Sequence, residues 1–164
     1  MSNVQTIENL QKALEMEMTA GHQYQLHAHV LEDWGLDILA AKMREEMEEE
    51  IGHSDLFMER IIFLGGVPEL RFQKQPKKAD SLVEMFEMDL ADEEEAIEVY
   101  SKAAQQAAEL GDIGSRTLFE KIVLDEEGHK SWLELQISLI KRLGEQAYSA
   151  KHVSFAGATG DADA

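Results

Sequence analysis

Both prolines of this sequence, Pro68 and Pro76, fall in one short stretch. On either side the chain is free to run as long helices, because an interior proline removes a hydrogen bond and clashes with the preceding turn. Ala, Leu, Glu, Gln, Lys and Met dominate those flanks, and they are the strong helix formers. Apolar spacing then gives four helical patterns. The first runs from about Val4 to Asp33, with Leu10, Leu14, Glu17, Gly21, Tyr24, Ala28 and Leu31 on one stripe. The second runs from about Asp37 to Leu64, with Leu39, Met43, Glu46, Glu50, His53, Phe57 and Leu64 in register. Gly65, Gly66 and Pro68 stop it. Ser81 opens the third as an N-cap, with Glu84 placed to complete a capping box. Its stripe reads Leu82, Phe86, Asp89, Glu93, Ala96, Tyr100, Ala103 and Ala107. A tight turn at Gly111–Gly114 leads into the fourth, with Phe119, Ile122, Glu126, His129, Leu133 and Ile140.

Short links join the first helix to the second and the third to the fourth, so each pair is an antiparallel hairpin. The long, proline-bearing link between the second and third is a crossover along the bundle. No segment alternates as a strand would. The expected fold is all-α, a four-helix bundle of two hairpins with one crossover, and a short fifth helix from about Glu145 to Val153. Residues 1–155 are expected to form one domain and 156–164, rich in Gly, Ala and Asp, a flexible tail. At 164 residues and 44% hydrophobic, one core is affordable and two are not.

The absence of cysteine excludes disulfides, thiolate metal sites and cysteine nucleophiles. The N-terminus lacks a basic-then-apolar signal pattern, and no apolar run approaches a membrane span, so a cytoplasmic protein without membrane attachment is expected. With 15 basic and 33 acidic side chains the formal charge is −18, which repels nucleic-acid backbones. Most of those acids read as solvated surface.

Four of them do not. Each stripe carries a carboxylate where an apolar residue belongs, and the second and fourth also carry a histidine three residues on. These are Glu50-Ile51-Gly52-His53 and Glu126-Glu127-Gly128-His129, and residues three apart share a helix face. Burying four unpaired carboxylates together is prohibitive. No Lys or Arg lies on the stripes within a turn of them, which leaves protons or metal ions as partners. The spacings narrow it further. Glu17 to Glu93 and Glu50 to Glu126 are both 76 residues, and Glu17 to Glu50 and Glu93 to Glu126 are both 33. One hairpin is therefore presented twice, each with Glu on its first helix and Glu-x-x-His on its second. Packed about a pseudo-two-fold axis, the two would bring four Glu and two His together, the ligand pattern of ferritin-like di-iron and di-manganese proteins. Oxygen-rich ligation with one imidazole per metal suits Fe or Mn better than copper.

The resemblance extends beyond these residues. The stretches Glu17-to-Ala28, Asp33-Trp34-Gly35-Leu36, Glu59-Arg60-Ile61 with Phe63-Leu64, Asp125-to-His129 and Trp132-Leu133-Glu134 resemble bacterioferritin, and the likeness reaches to about Tyr148. It implies a cytoplasmic iron-storage protein that assembles about 24 subunits into a hollow shell. It also implies oxidation of Fe(II) by O2 or H2O2 at an intrasubunit di-iron centre, with ferric mineral kept inside. The six ligands of that family match Glu17, Glu50, His53, Glu93, Glu126 and His129. By resemblance Glu50 and Glu126 are bridges, and Glu17 and Glu93 are terminal. Tyr24 matches a residue beside the site, although bundle packing alone would also place a tyrosine there. The −18 charge would draw cations inward.

Two positions depart from the family. Haem-binding relatives offer an axial Met where this chain has Ile51, which has no lone pair. Met47 and Met58 share its outer stripe, which otherwise reads as an apolar dimer interface. A haem-free subunit is expected, alone or mixed with a haem-binding partner subunit. Glu45 and Glu49 stand where relatives often have the His and Asp of an inner-surface iron site. They read either as an accessory iron site or as solvated acids. His22, His27, His29 and His152 read as surface or packing histidines, and Trp34 and Trp132 as packing anchors. The rival functions are a rubrerythrin-like peroxidase, disfavoured by the lack of cysteine, and a Dps-like protective shell, whose ligands lie between subunits.

Overall fold

The computed structural model describes residues 3–155, so the expected tail at 156–164 lies outside the described residues. The elements are α1 (Val4–Asp33), α2 (Asp37–Phe63), α3 (Leu82–Glu109), α4 (Ile113–Leu143) and α5 (Glu145–Ala150). The helix α1 packs along α2 and α3 along α4, and the two hairpins meet chiefly through α1 against α3. Among the described residues no helix is long and apolar enough to cross a membrane.

Local chemistry sets the ends. Gly35 and Gly111 close the two hairpin turns with φ of 80° and 75°, a left-handed conformation that costs a glycine nothing. At the first turn the Leu36 N–H donates to the Leu31 carbonyl at 2.9 Å, and at the second the Asp112 N–H donates to Ala107 at 2.8 Å. These are the helix-ending loops in which a residue beyond the cap reaches back to satisfy an orphan carbonyl. The two glycines are themselves 76 residues apart, so the duplication extends to the turns.

Two expected boundaries move inward. Leu64 is a C-cap rather than a helical residue, because Gly66 reverses the chain by donating to the Ile61 carbonyl at 2.9 Å. The helix α5 stops at Ala150, short of Val153. The residues after it are drawn to the start of α2. There the Ile38 N–H donates to the His152 carbonyl at 3.1 Å, and the Ser154 N–H donates to Asp37 Oδ1 at 2.9 Å. Ser81 caps α3 as expected, accepting from the Glu84 N–H at 3.2 Å. The return bond of that cap reaches one residue further back than a capping box requires, with the Asp80 N–H donating to Glu84 at 2.8 Å.

The core divides into two apolar clusters. One gathers Ala28, Leu31, Met43, Phe86, Leu133 and Tyr148, with Trp34 and Trp132 packed against it. The other gathers Leu10, Leu14, Phe57, Ile61, Phe119 and Ile122. Between them, at mid-bundle, lies a layer of buried polar side chains. Gly21 lets α1 and α2 approach beside that layer, since a Cβ there would lie 3.0 Å from Ile51 Cδ1 and 3.7 Å from Glu50 Cβ.

Candidate metal centre

Burial in the polar layer is nearly complete. Glu17, Glu50, His53, Glu93, Glu126 and His129 are each 0–7% exposed, and all six converge. His53 Nδ1 lies 3.4 Å from Glu17, 3.5 Å from Glu50 and 3.0 Å from Glu126. His129 Nδ1 lies 2.8 Å from Glu50, 3.3 Å from Glu93 and 3.7 Å from Glu126. Adding 76 to the first set gives the second, with Glu50 and Glu126 exchanging places. The imidazoles stack with centroids 6.4 Å apart and planes 23° from parallel.

Two groups of potential ligand atoms result, each within 4.8 Å: Glu17, Glu50, His53 and Glu126, and Glu50, Glu93, Glu126 and His129. Glu50 and Glu126 belong to both. The four helices thus form two overlapping cages that share a pair of carboxylates.

The hydrogen-bond inventory tests whether metal ions fit. Among the described residues, the buried side-chain polar atoms without a hydrogen-bond partner are Glu17 Oε2, both oxygens of Glu50, Glu126 Oε1, His53 Nδ1, both nitrogens of His129, and Glu46 Oε2. Folded proteins pair nearly all such atoms. Seven of these eight belong to the six residues selected from sequence, and the eighth lies beside His129. Orphaned hard donors aimed at common points are what a pair of cations would satisfy.

Electrostatics agree. Burial, and then repulsion by Glu50 and Glu126, holds the Glu17 carboxyl well above the carboxylate range. Burial with the same two neighbours does so for Glu93. Burial would also raise Glu50 and Glu126, but the adjoining Glu17 and Glu93 carboxyls and both imidazoles outweigh it and lower them. For the histidines burial opposes the charged form, yet the surrounding carboxylates win and raise both pKa values far above the ordinary value. Without cations the layer thus favours charged imidazoles beside the lowered Glu50 and Glu126, with Glu17 and Glu93 pushed towards their neutral form. Two divalent cations against four carboxylates and two neutral imidazoles would be neutral.

Outside the six, further groups back the site. The Tyr24 hydroxyl donates to Glu93 Oε1 at 2.5 Å, and the Tyr100 hydroxyl donates to Glu17 Oε1 at 2.5 Å. Burial, with Glu93 and Asp89 near Tyr24 and Glu17 and Glu126 near Tyr100, raises both phenols, so they remain donors. His53 Nε2 meets Asp125 Oδ2 at 3.1 Å, and His129 Nε2 lies 2.9 Å from Glu46 and 3.1 Å from Glu49. A narrow cavity of about 20 Å³ is lined by Gln73 of the crossover, by both tyrosines and by Glu50 and Glu126. That is room for about one water.

The accessory candidates are placed differently. Glu49 borders both imidazoles, whereas Glu45 is 74% exposed and lies 3.7 Å from Lys42. Glu46 takes the place beside His129, with Lys42 on its other oxygen. His27 is fully buried, 3.0 Å from the buried Asp89, and its Nε2 meets the Gln23 amide at 2.8 Å. It is a packing histidine with a specific partner 62 residues away. His22 sits edge-on to Phe72. Tyr100, Glu46 and Asp125 had not been singled out. The 76-residue offset from Tyr24 was the available signal for Tyr100. For Glu46 the signal was its place on the apolar stripe of the second helix, and for Asp125 the 76-residue offset from Glu49.

A bundle with one Glu on each of two helices and Glu-x-x-His on each of the others defines a class, the ferritin-like proteins that hold paired metals among their helices. The family model of the ferritin-like domain matches residues 7–143. Bacterioferritin of Rhodobacter capsulatus is 44% identical over 90% of this chain and 91% of its own length. That of Brucella melitensis is 40% identical over 87% and 88%. A solved structure of the Rhodobacter capsulatus protein, described with a metal-free dinuclear site and haem iron, superposes with a TM-score of 0.89 at 42% identity. It covers 98% of this chain and 97% of that one. Bacterioferritin BfrA of Mycobacterium tuberculosis gives 0.88 at 37%, covering 91% and 94%. The chain belongs to the bacterioferritins, within the ferritin family.

Proposed function

We propose that this chain stores iron and acts as a ferroxidase, oxidising Fe(II) at the paired cages and passing ferric iron to a mineral held inside a protein shell. The observation that carries the reading is the convergence of orphaned buried donors on two positions that share Glu50 and Glu126. Kinship with the bacterioferritins indicates iron storage and points to iron rather than manganese.

The roles are those that the family resemblance implies, and the hydrogen bonds support them. Both oxygens of Glu50 are unpartnered, so this carboxylate can face both positions. Glu126 sits in both groups and is the second bridge. Glu17 and Glu93, terminal by the family resemblance, each have one oxygen tied by a phenol, and at Glu17 the other is left unpartnered for a cation. His53 and His129 give one Nδ1 to each position. Iron bound there supplies one electron per ion, so a pair reduces O2 to H2O2, or H2O2 to water, with two protons taken up in either case. Four hard carboxylates favour Fe(III) over Fe(II) and lower the cost of that step.

Large apolar side chains stand exposed on several faces, among them Ile62, Phe63, Val67, Leu124 and Leu135. Such residues suit subunit contacts, and the kinship with bacterioferritins extends this to a cytoplasmic homo-oligomer of about 24 chains, pure or mixed with a haem-binding subunit. Ile51 offers only carbon at the family's haem-ligand position and packs towards Gly21 of its own chain. Recombinant protein supplied with haemin is expected to show no Soret band of bis-Met character. The storage reading is tested by adding Fe(II) to purified apo-protein under air while following ferric absorbance and native mass. Rapid oxidation by a large oligomer is expected. A rate no faster than the protein-free blank, or a monomer, would refute it.

A further inference from the structure

Tyr100 is fully buried, with its ring edge-on to Phe57 at 5.6 Å and tilted against Phe119 at 6.1 Å. A phenylalanine would fill that space equally well. A buried hydroxyl is costly unless it is bonded, and this one donates to Glu17 Oε1 at 2.5 Å, with the Ala13 carbonyl only marginally in reach at 3.5 Å. Tyr24 likewise donates to Glu93 Oε1, although there the bonded oxygen is itself the one 3.3 Å from His129 Nδ1. The two tyrosines are 76 residues apart, as are the two glutamates, and each phenol reaches from one hairpin to the carboxylate of the other. The consequence is visible at Glu17. One oxygen is held by the phenol while the other, Oε2, is unpartnered and faces His53 Nδ1. At Glu50, where no phenol reaches, both oxygens are free.

We infer that Tyr100 is a positioning residue of the metal centre, a tether that limits Glu17 to one donor oxygen and so fixes coordination in the His53 half. The inference rests on the ferroxidase reading of the same site. Without the hydroxyl, Glu17 can turn both oxygens inward, which raises the coordination number of its cation and loosens the geometry.

The test is anaerobic titration of the full-length protein with Co(II), followed by calorimetry and by the visible d–d absorbance, which weakens as coordination number rises. Wild type is expected to take two Co(II) per chain. Tyr100→Phe still takes two, but one about tenfold more weakly, the usual effect of removing a partner behind a ligand, with a weaker d–d band. Phe119→Leu, which disturbs the same aromatic cluster and spares the hydroxyl, leaves affinity and spectrum as in wild type. A Tyr100→Phe protein with wild-type isotherm and spectrum overturns the tether while leaving the ferroxidase reading intact, and so does an equal change in Phe119→Leu. Wild type that binds no Co(II) overturns both.

Discussion

His53 and His129 face the cage alike and face outward differently. Behind His53 stand Asp125, which forms an aligned hydrogen bond with Nε2 at 3.1 Å, and Glu49, within 4.8 Å of the ring. Behind His129 two acids, Glu46 and Glu49, lie at 2.9 and 3.1 Å, and neither makes an aligned hydrogen bond. Duplication explains the inner likeness and part of the outer one. Glu49 and Asp125 occupy the same place, immediately before each Glu-x-x-His. Glu46 has no such counterpart, because 76 residues on stands Ile122 in the apolar core. The halves are thus equal where they meet the cations and unequal where they meet the rest of the protein. Matched affinities cannot be assumed from matched ligands.

The largest expected effect comes from a residue that the halves share. Glu126→Ala removes a donor from both groups at once, and it leaves His53 and His129 without one of the two carboxylates that contact both. The fast phase of Fe(II) oxidation should disappear, a loss of at least about 100-fold, because removing a shared ligand exceeds the usual effect of removing an outer partner. Stopped-flow ferric absorbance measures it. If the variant retained half the wild-type rate, each half would be working alone and the sharing inferred for Glu126 would be wrong.

Next in size is the pH dependence, which treats the halves together. Glu17 and Glu93 are raised, as are both histidines, so the cation-free site holds protons that two cations must displace. Binding then releases protons, at most about four per pair of ions, and affinity falls as pH falls, by up to about a hundredfold per ion per pH unit. The sign follows from raised pKa values, since groups that hold their protons more tightly exclude the metal more strongly at low pH. Co(II) titration in weakly buffered solution with a pH indicator counts the protons. Release of fewer than two would mean that the site is already deprotonated before metal arrives.

The inner part of this comparison was legible in the sequence because its causes are local and periodic. Glu17, Glu50, His53, Glu93, Glu126 and His129 interrupt apolar stripes, and the offsets of 76 and 33 tie them together. The four long helices were legible for the same reason, from stripes, glycine stops and a serine cap. The outer part was not, because it depends on pairings between helices that no periodicity reports. His27 and Asp89 are 62 residues apart, and although Asp89 interrupts an apolar stripe, nothing in either segment pairs the two until α1 and α3 are packed. Glu46 carries Lys42 four residues before it, the spacing of an ordinary surface ion pair, yet it is only 4% exposed. The end of α5 depended on where residues 152–154 find the start of α2.

The smallest predicted effect separates the two outer sides. A ligating imidazole is held in orientation and tautomer by whatever accepts its other N–H, and removing that acceptor commonly costs about 10- to 100-fold in metal affinity. Asp125→Ala takes away the only aligned acceptor of His53, so its half should weaken by about tenfold. Glu46→Ala leaves His129 with Glu49 at 3.1 Å, and Lys42 can fall back on Glu45 and on the Trp132 ring 5.4 Å away. That half should weaken only a few-fold, the remaining acid covering most of the loss. Chelator competition with Zn(II) reads both variants on one scale. If Glu46→Ala proved the more damaging, Glu46 rather than Glu49 would be the acid that orients His129. The redundancy inferred from the geometry would then be absent, and the buried acid without a counterpart in the repeat would be the essential one.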